Sequence, residues 1–580
     1  MNRITLDGIL ANKLFLYSII IVFLCLRFCN LNQDAPSMMI SSICEEDEAY
    51  YSVEGINQYN VEHNRYIKGF EKSMIAPLLI YSKSITYICL NIFGNNFYGL
   101  RVPVVLISIL FLLFLFKTFK LINPDYNSLN ILLLFLLFSD FFVYIFSRYH
   151  NPQIYSMLCI SIVIWQIAKY NFESINSLIF IGFVATFATL SVYIYNIFLP
   201  LGIGLFLLYL SCSLKKVKYV TAFSLGCLLA ASFFYVTTIY LDCSLEQIVN
   251  ILTSHGGGVI KHSNLGLSQS LLEIGKLVFG AILSLIYTNF FRHNLILLYL
   301  FITLLPIPII YIKKYKSRIA SVLIILIATQ FTLLLFVNSH SFKKLIVLVP
   351  IVYVLILFSL VQLIKLRDDI FKKNKITFFI FSIIGFVCCL LNIKVNNSPV
   401  YWSGYSSLYN YYENIPSGLV VFNLLIIFIA FLLTLILLFM NVNYYKIITR
   451  FLILPIIFQT TMCCYFFIYK STYFYRNTLL EMKPIIENKV LIGGFPHFHQ
   501  FYTNCIPAMS CYVELNYYHE KKYNQIMDSL FDNKIAEYTI FKHVRNDTTP
   551  IPKEFDLIKV YQLKYFDNYL CKRRLMNKKD

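Results

Sequence analysis

Long apolar runs alternate with short polar connections over most of the chain. Each run holds about 17 to 25 residues, which is the length that an α-helix needs to cross the hydrocarbon core of a bilayer. The pattern therefore predicts about thirteen membrane-spanning helices. They fall at residues 14–30, 101–117, 128–146, 153–169, 177–193, 196–213, 219–241, 294–312, 319–337, 344–364, 376–393, 419–440 and 447–467.

The pattern changes after about residue 468, where charged residues become frequent. Residues 489–494 have the pattern of a buried strand that enters a Gly-Gly turn, residues 523–530 have helical spacing, and residues 538–544 and 557–563 alternate like strands. We expect a transmembrane domain at 1–467, with an extracytoplasmic loop at 31–100, followed by a small α/β extracytoplasmic domain at 468–580.

Composition agrees with a polytopic α-helical membrane protein, since 58% of the 580 residues are hydrophobic and only 14% are charged. The net charge of +19 does not indicate nucleic-acid binding, because the basic residues form short clusters between apolar runs. The 15 cysteines are scattered, without the paired spacing of a zinc site. We therefore predict no nucleic-acid partner and no zinc site of paired cysteines; a divalent metal stays open, but no residue pattern supports one.

The distribution of lysine and arginine predicts how the chain is oriented. Basic residues cluster in alternate connections, at 117–120, 215–218, 313–318 and 365–375, and cytoplasmic loops carry such an excess. The N-terminus is then cytoplasmic, whereas loop 31–100, stretch 242–293, loop 394–418 and the C-terminal tail are extracytoplasmic. This assignment treats 271–291 as an interfacial helix, because counting it as a span would turn every later lysine cluster outward.

An acidic run, Glu45-Glu46-Asp47-Glu48, follows the first span where the chain meets water. Carboxylates at the mouth of an intramembrane cavity usually transfer protons, bind metals or pass ions. The run therefore indicates an enzyme or a transporter.

Several motifs resemble, in order, those of the polytopic glycosyltransferases of the GT-C fold, especially the protein O-mannosyltransferase-like and lipid A aminoarabinose transferase-like families. The motifs are Asp47-Glu48-Ala49-Tyr50-Tyr51, Lys72 with Pro77, Phe93-Gly94, Arg101-Val102-Pro103, Arg148-Tyr149-His150-Asn151-Pro152-Gln153 and Ser341-Phe342-Lys343-Lys344. Two positions depart from the families' pattern. Lys72 is not followed directly by a proline pair, and Gln153 stands where many relatives have an acidic residue.

The resemblance implies a polyprenyl-phosphate sugar as donor, an extracytoplasmic acceptor such as lipid A, another glycan or a protein, and a location in the bacterial inner membrane. Its implied catalytic residues are Asp47 and Glu48. The chemistry needs one base for the acceptor hydroxyl and cations for the leaving lipid phosphate. Six basic residues near predicted extracytoplasmic span ends are the phosphate-binding candidates: Lys72, Arg101, Arg148, His150, Lys343 and Lys344.

Structural interpretations of the same residues remain open. Asp47 can belong to a solvated acidic loop, and Glu48 can hold a helix N-terminus or position a basic partner. Arg148, His150, Lys343 and Lys344 can anchor span ends at the interface. His497 and His499 have the spacing of metal ligands on a strand, but no partner cluster is nearby, so zinc is not favoured and no cofactor is predicted.

The leading functional prediction is an inverting glycosyltransferase that moves a sugar from a polyprenyl-phosphate carrier to an extracytoplasmic acceptor. No nucleotide-binding motif is present, which fits a lipid-linked donor. The alternative is a transporter or flippase of lipid-linked saccharides, which predicts functional charges within spans, where Asp140 is the main acidic example. A polymerase or ligase would need essential residues in loop 394–418, whose single acidic residue is Glu413.

Overall fold

The computed structural model shows a predominantly helical protein with a mixed sheet near the C-terminus. It describes residues 13–32, 48–66, 80–214, 217–240, 294–337, 345–367, 372–397, 417–440, 442–469, 474–494, 496–511, 531, 536–544, 551–562 and 566–574.

The part before residue 470 is helical throughout these ranges. Its α-helices are α1 (Lys13–Phe28), α2 (Glu48–Glu62), α3 (Ile80–Phe93), α4 (Phe97–Ile122), α5 (Asn127–Ser139), α6 (Phe141–Phe146), α7 (Pro152–Tyr170), α8 (Ile175–Phe187), α9 (Phe198–Leu214), α10 (Lys218–Tyr240), α11 (Leu295–Leu304), α12 (Pro306–Tyr315), α13 (Arg318–Val337), α14 (Val349–Lys365), α15 (Lys375–Asn397), α16 (Ser417–Phe439) and α17 (Tyr444–Cys464). Short 3-10 or π turns lie at Ala188–Val192, Ile194–Ile197, Ile346–Leu348, Lys372–Asn374 and Tyr465–Tyr469.

Within the described residues, nine helical segments are long and apolar enough to cross a membrane. Shorter apolar helices include Asn127–Ser139 and Arg318–Leu333. The protein is therefore a multi-pass membrane protein. The total of about thirteen spans stays a prediction, and segment 271–291 lies outside the described residues.

Burial separates central helices from peripheral ones. In the segment Ile346–Lys365, 94% of the most apolar window is buried inside the protein, whereas the corresponding share is 22% in Ser417–Phe439. A central helix that is apolar on all sides is covered by the surrounding helices. The exposed apolar face of a peripheral helix suits contact with lipid. The segment that contains α14 thus forms the middle of the bundle.

Helices α8 and α10 approach closely through two glycines. A Cβ atom on Gly226 would lie 2.0 Å from the carbonyl oxygen of Ile179, and one on Gly182 would lie 2.2 Å from that of Phe223. Small residues allow such backbone contact between membrane helices. A larger side chain at either glycine would therefore force the backbones of α8 and α10 apart.

Two predicted spans are not continuous helices. The segment predicted at 128–146 breaks at Asp140, between α5 and α6, and Asp140 Oδ1 accepts a hydrogen bond of 3.1 Å from the Val143 N–H. The segment predicted at 177–193 ends in the π turn Ala188–Val192 and an extended Tyr193. Backbone of this kind at membrane depth is tolerated where it is buried in protein.

The C-terminal part contains helices α18 (Phe474–Ile486) and α19 (Pro496–Thr503) and five strands. The strands are β1 (Val490–Gly494), β2 (Ile506–Cys511), β3 (Tyr538–Val544), β4 (Phe555–Gln562) and β5 (Phe566–Arg573). Their order is β2-β1-β3-β5-β4, with parallel pairing of β1 to β2 and β3, and antiparallel pairing of β5 to β3 and β4. Strands lie where the sequence pattern predicted them at 489–494, 538–544 and 557–563. Segment 523–530 lies outside the described residues.

A second hydrophobic cluster joins this sheet to the helices of the first hundred residues. Ile56 of α2, Leu90 of α3 and Phe97 of α4 are buried together with Leu491 of β1 and Ile540 of β3. Side chains on both sides of the predicted boundary at residue 468 thus share one core. The position of α4 consequently depends on packing against the C-terminal part.

Candidate functional site

The candidate site is built around Glu48, the first residue of α2, whose side chain is completely buried. Arg101, one turn into α4, donates from Nε to Glu48 Oε1 at 2.9 Å and from Nη2 to Oε2 at 2.7 Å. This two-pronged geometry fixes both the distance and the plane of the carboxylate. Residues 53 positions apart in the sequence are thereby held together.

A third donor completes the environment of the carboxylate. The backbone N–H of His150, in the turn between α6 and α7, donates to Glu48 Oε1 at 3.0 Å. A general base must reach the proton that it removes, but this carboxylate is enclosed and used by the protein itself. The geometry is that of a residue that holds other groups in place.

Arg101 is enclosed between two aromatic rings. Its guanidinium carbon lies 4.7 Å from the centroid of Phe97 and 4.5 Å from that of Tyr149, and Nη1 donates to the carbonyl oxygen of Leu31. Cation–π contacts are strongest where the cation is removed from water. Together with the two bonds to Glu48, the bond to Leu31 means that all three nitrogens of this guanidinium donate to protein acceptors.

Arg148 caps the end of the first helix. Nη1 donates to the carbonyl oxygens of Leu26 at 3.0 Å and Arg27 at 3.2 Å, and Nη2 donates to those of Cys29 and, at 2.9 Å, Asn30. The last carbonyl groups of a helix have no partner within it, and a cation compensates their partial negative charge. Arg148 is 1% exposed, so its terminal nitrogens serve this cap.

Three consecutive residues of the turn between α6 and α7 thus each hold a different part of the site. Arg148 fixes the end of α1, the ring of Tyr149 lies against Arg101, and the His150 N–H holds Glu48. Together with the bond from Arg101 to Leu31, these contacts fix the chain on both sides of segment 33–47. Asp47 lies outside the described residues, but it directly precedes the fixed Glu48.

The imidazole of His150 is also used inside the protein. Nε2 hydrogen-bonds with Thr86 Oγ1 and Nδ1 with Tyr155 OH, each at 3.2 Å. The side chain is fully buried. The ring consequently ties α3 to α7 rather than projecting into water.

Sequence reasoning did not select Arg27, which lies in the last turn of α1 with a fully buried side chain. Its Nη2 donates to the carbonyl oxygen of Phe138 at 3.2 Å, and its guanidinium lies 4.7 Å from the ring of that residue. Asp140, which the sequence did single out, accepts from Asn294 Nδ2 at 2.6 Å. The sequence signal that could have identified Arg27 is a charged residue inside an apolar run. Hydropathy alone assigns such a residue to the end of a span.

The side chains of the remaining candidate site residues lie outside the described part of the structure. Lys72, Lys343 and Lys344 lie in segments beyond the described ranges, and His497 and His499 lie in α19, where their side chains are not described. Among described residues, no group of three histidine, cysteine, aspartate or glutamate side chains is arranged to hold a metal ion.

No protein-family model matches the chain, and no curated protein matches it by sequence. Its fold nevertheless matches solved structures along almost the whole length, in agreement with the GT-C fold that the motifs predicted. One match is to ArnT from Cupriavidus metallidurans in the apo state, with a TM-score of 0.56 and 13% identity over 96% of this chain and 97% of that one. ArnT bound to undecaprenyl phosphate matches with a TM-score of 0.55 and 14% identity over 96% and 98%.

Proposed function

We propose that this protein is an inverting glycosyltransferase that uses a polyprenyl-phosphate-linked sugar and an extracytoplasmic acceptor. The observation that carries the proposal is the buried arrangement of Glu48, Arg101 and the His150 N–H, which fixes the chain next to Asp47. The GT-C fold supports it, as does the undecaprenyl phosphate bound to the ArnT structure that this chain resembles.

In the proposed reaction Asp47 is the general base. It takes the proton of the acceptor hydroxyl while the oxygen attacks the anomeric carbon from the face opposite the phosphate. The bond from that carbon to the phosphate oxygen breaks, and its electron pair leaves with the lipid phosphate. One base suffices for this inverting displacement, so the neutral Gln153 is compatible with it.

Glu48 acts here as a positioning residue for Asp47. The sequence left open whether Glu48 is catalytic or positions a basic partner, and its three hydrogen bonds favour the second role. Held at the first residue of α2, it determines where the preceding residue enters the site. Removing Glu48 should therefore impair transfer through the placement of Asp47.

The cations that stabilise the leaving phosphate are assigned differently from the sequence prediction. Arg101, Arg148 and His150 were predicted to bind the donor phosphate, but their described nitrogens contact carboxylate, carbonyl and hydroxyl oxygens of the protein. We assign these three residues to the framework of the site. Lys72, Lys343 and Lys344 lie outside the described residues and remain the phosphate ligands proposed from the sequence, because the developing charge on the leaving phosphate needs cations nearby.

The alternative of a lipid-linked saccharide transporter receives some support from buried charge within the helical part. Arg27 is 0% and Asp140 3% exposed, and Asp140 accepts from Asn294. Charges enclosed in a helical bundle often mark transport pathways. A transporter would change the side of the membrane on which a saccharide is found, whereas a transferase changes what it is bonded to.

The membrane orientation and the domain limits are proposals that rest on the sequence. The lysine and arginine distribution supports a cytoplasmic N-terminus and an extracytoplasmic C-terminal part. The limits of the transmembrane catalytic domain at 1–467 and of the C-terminal domain at 468–580 rest on the hydropathy pattern, and the location in a bacterial inner membrane rests on the family resemblance. Cysteine labelling tests this orientation. A cysteine at Glu54 should be labelled from outside the cell, and one at Lys373 only after permeabilisation.

Mass spectrometry of the surface glycans and lipid A of a deletion strain tests the function, because it compares all the acceptor classes at once. The proposal expects one acceptor to lose the mass of a single sugar and the lipid-linked donor to accumulate. Loss of the sugar together with lipid-linked saccharide trapped on the cytoplasmic leaflet would instead support the transporter, and unchanged glycans and lipid A would contradict both functions.

A further inference from the structure

The turn that holds Glu48 leads into amide groups that lack partners. Asn151, directly after His150, is 1% exposed, and neither Nδ2 nor Oδ1 has a hydrogen-bond partner in the part of the chain that the structure describes. Gln153, two residues further on, is also 1% exposed, and its Oε1 is likewise unpartnered there. Three polar atoms of Asn151 and Gln153 are therefore buried without a hydrogen-bond partner among the described residues.

This arrangement is unusual for the position that Asn151 occupies. Asn151 is the N-cap of α7, and an N-cap asparagine normally accepts a hydrogen bond from the backbone of the first helical turn. Its side chain makes no such bond. Because nearly all buried polar groups in native proteins are hydrogen-bonded, the unpartnered amide of Asn151 and the unpartnered amide oxygen of Gln153 indicate that a bound molecule supplies the partners.

The location of the amides connects them to the proposed chemistry. The backbone N–H of His150 contacts Glu48, so Asn151 is one residue from the group that fixes Glu48, and Asp47 precedes Glu48. A molecule that contacts Asn151 therefore lies next to the turn that holds Glu48. Gln153 is also the position at which relatives in the GT-C families often have an acidic residue.

We propose that Asn151 and Gln153 form a subsite that binds hydroxyl groups of the donor sugar. The inference rests on the proposed function and names the part of the donor that these residues recognise. Asn151 presents one donor group and one acceptor group, whichever way its amide is turned. An ionised phosphodiester offers only acceptors and would leave the Asn151 acceptor unpaired, whereas a sugar hydroxyl donates and accepts.

The test compares donor binding and thermal stability in two variants, Asn151→Leu and Gln153→Met, which remove the amides at similar volume. The probes are undecaprenyl phosphate, undecaprenyl phosphomannose and undecaprenyl phospho-aminoarabinose, each measured with detergent-solubilised full-length protein. Wild-type protein should bind one glycosylated carrier more tightly than the bare carrier. Each substitution should weaken that binding about tenfold, as expected for a lost hydrogen bond, and leave the Kd for undecaprenyl phosphate unchanged.

Thermal stability is the second quantity to measure. If the amides had a structural role, the substitutions would lower Tm, whereas the proposal expects no fall. Removing an unpaired buried amide eliminates an uncompensated polar group, so Tm should stay the same or rise. The matched control is Gln166→Met on the same helix, because Gln166 Oε1 accepts a hydrogen bond of 3.1 Å from Ser177 Oγ. That substitution should lower Tm and leave the Kd of every probe unchanged.

Three outcomes would overturn the proposal. A fall in Tm with unchanged Kd values, as in Gln166→Met, would show that the amides are structural. An equal loss of affinity for bare and glycosylated carriers would assign them to the phosphate. If wild-type protein binds bare and glycosylated carriers equally, no sugar subsite exists. A separate result, that it binds no polyprenyl phosphate at all, would overturn the proposed function itself.

Discussion

The ion pair between Glu48 and Arg101 gives the most specific prediction about stability. Replacing Arg101 with methionine removes two of the three described donors to a carboxylate that is fully buried. Breaking a buried pair on one side leaves an uncompensated charge and costs about 3 to 5 kcal/mol. We therefore expect the free energy of unfolding of Arg101→Met to fall by about that amount.

The double variant separates the structural role of the pair from its functional role. Replacing both partners of a buried ion pair by apolar residues of similar volume is often neutral, so Arg101→Met with Glu48→Met should recover most of the lost stability. Transfer should remain low in the double variant, because no carboxylate then holds the His150 N–H. Unfolding in mixed SDS and detergent micelles measures the first quantity, and transfer assays measure the second.

An exposed ion pair of the C-terminal part serves as the control. Lys559 Nζ lies 3.2 Å from Glu481 Oε2, and both side chains are at least half exposed. Lys559→Met should cost less than about 1 kcal/mol, since exposed pairs contribute little. If Arg101→Met costs no more than this control, the pair does not hold the site together. Recovery of transfer in the double variant would contradict the positioning role of Glu48.

Two further predictions concern packing. Gly226→Ala should lower Tm strongly, because its Cβ would lie 2.0 Å from the Ile179 carbonyl oxygen, whereas Gly204→Ala, whose Cβ would meet nothing closer than 3.8 Å, should change Tm little. Phe501→Ala should lower the transfer rate by about 10- to 100-fold, because the Phe501 ring packs 5.0 Å from Phe97, which in turn contacts Arg101. Equal Tm values for the glycine variants, or normal initial rates for Phe501→Ala, would refute these predictions.

Hydropathy located the nine described helical segments that are long and apolar enough to cross a membrane, because length and apolar composition decide whether a segment suits the bilayer. It did not reveal the break at Asp140 or the π turn at Ala188–Val192. Windows that average over a span are insensitive to one polar residue or to a local change in backbone geometry. Both irregularities are stabilised by contacts with distant parts of the chain, which no local pattern contains.

The candidate site was predictable in its parts but not in its connections. The motifs selected Glu48, Arg101 and His150, yet their grouping depends on pairs that are 53 and 102 residues apart in sequence. The prediction that the basic residues bind phosphate came from their positions at span ends, which do not show the acceptors that the fold supplies to Arg101 and Arg148. Asn151 attracted no attention as an individual residue, since only burial reveals that its amide lacks partners.

The central claim is that Asp47 is the base of a sugar transfer. It is tested most directly by complementing the deletion strain with Asp47→Asn and measuring the missing sugar on its acceptor by mass spectrometry. Loss of a general base should slow transfer by about 100- to 10000-fold, while immunoblotting shows wild-type levels of membrane-inserted protein. The account predicts an acceptor that stays unmodified and a donor that accumulates. Normal modification by Asp47→Asn would contradict the account and remove Asp47 from the catalytic role.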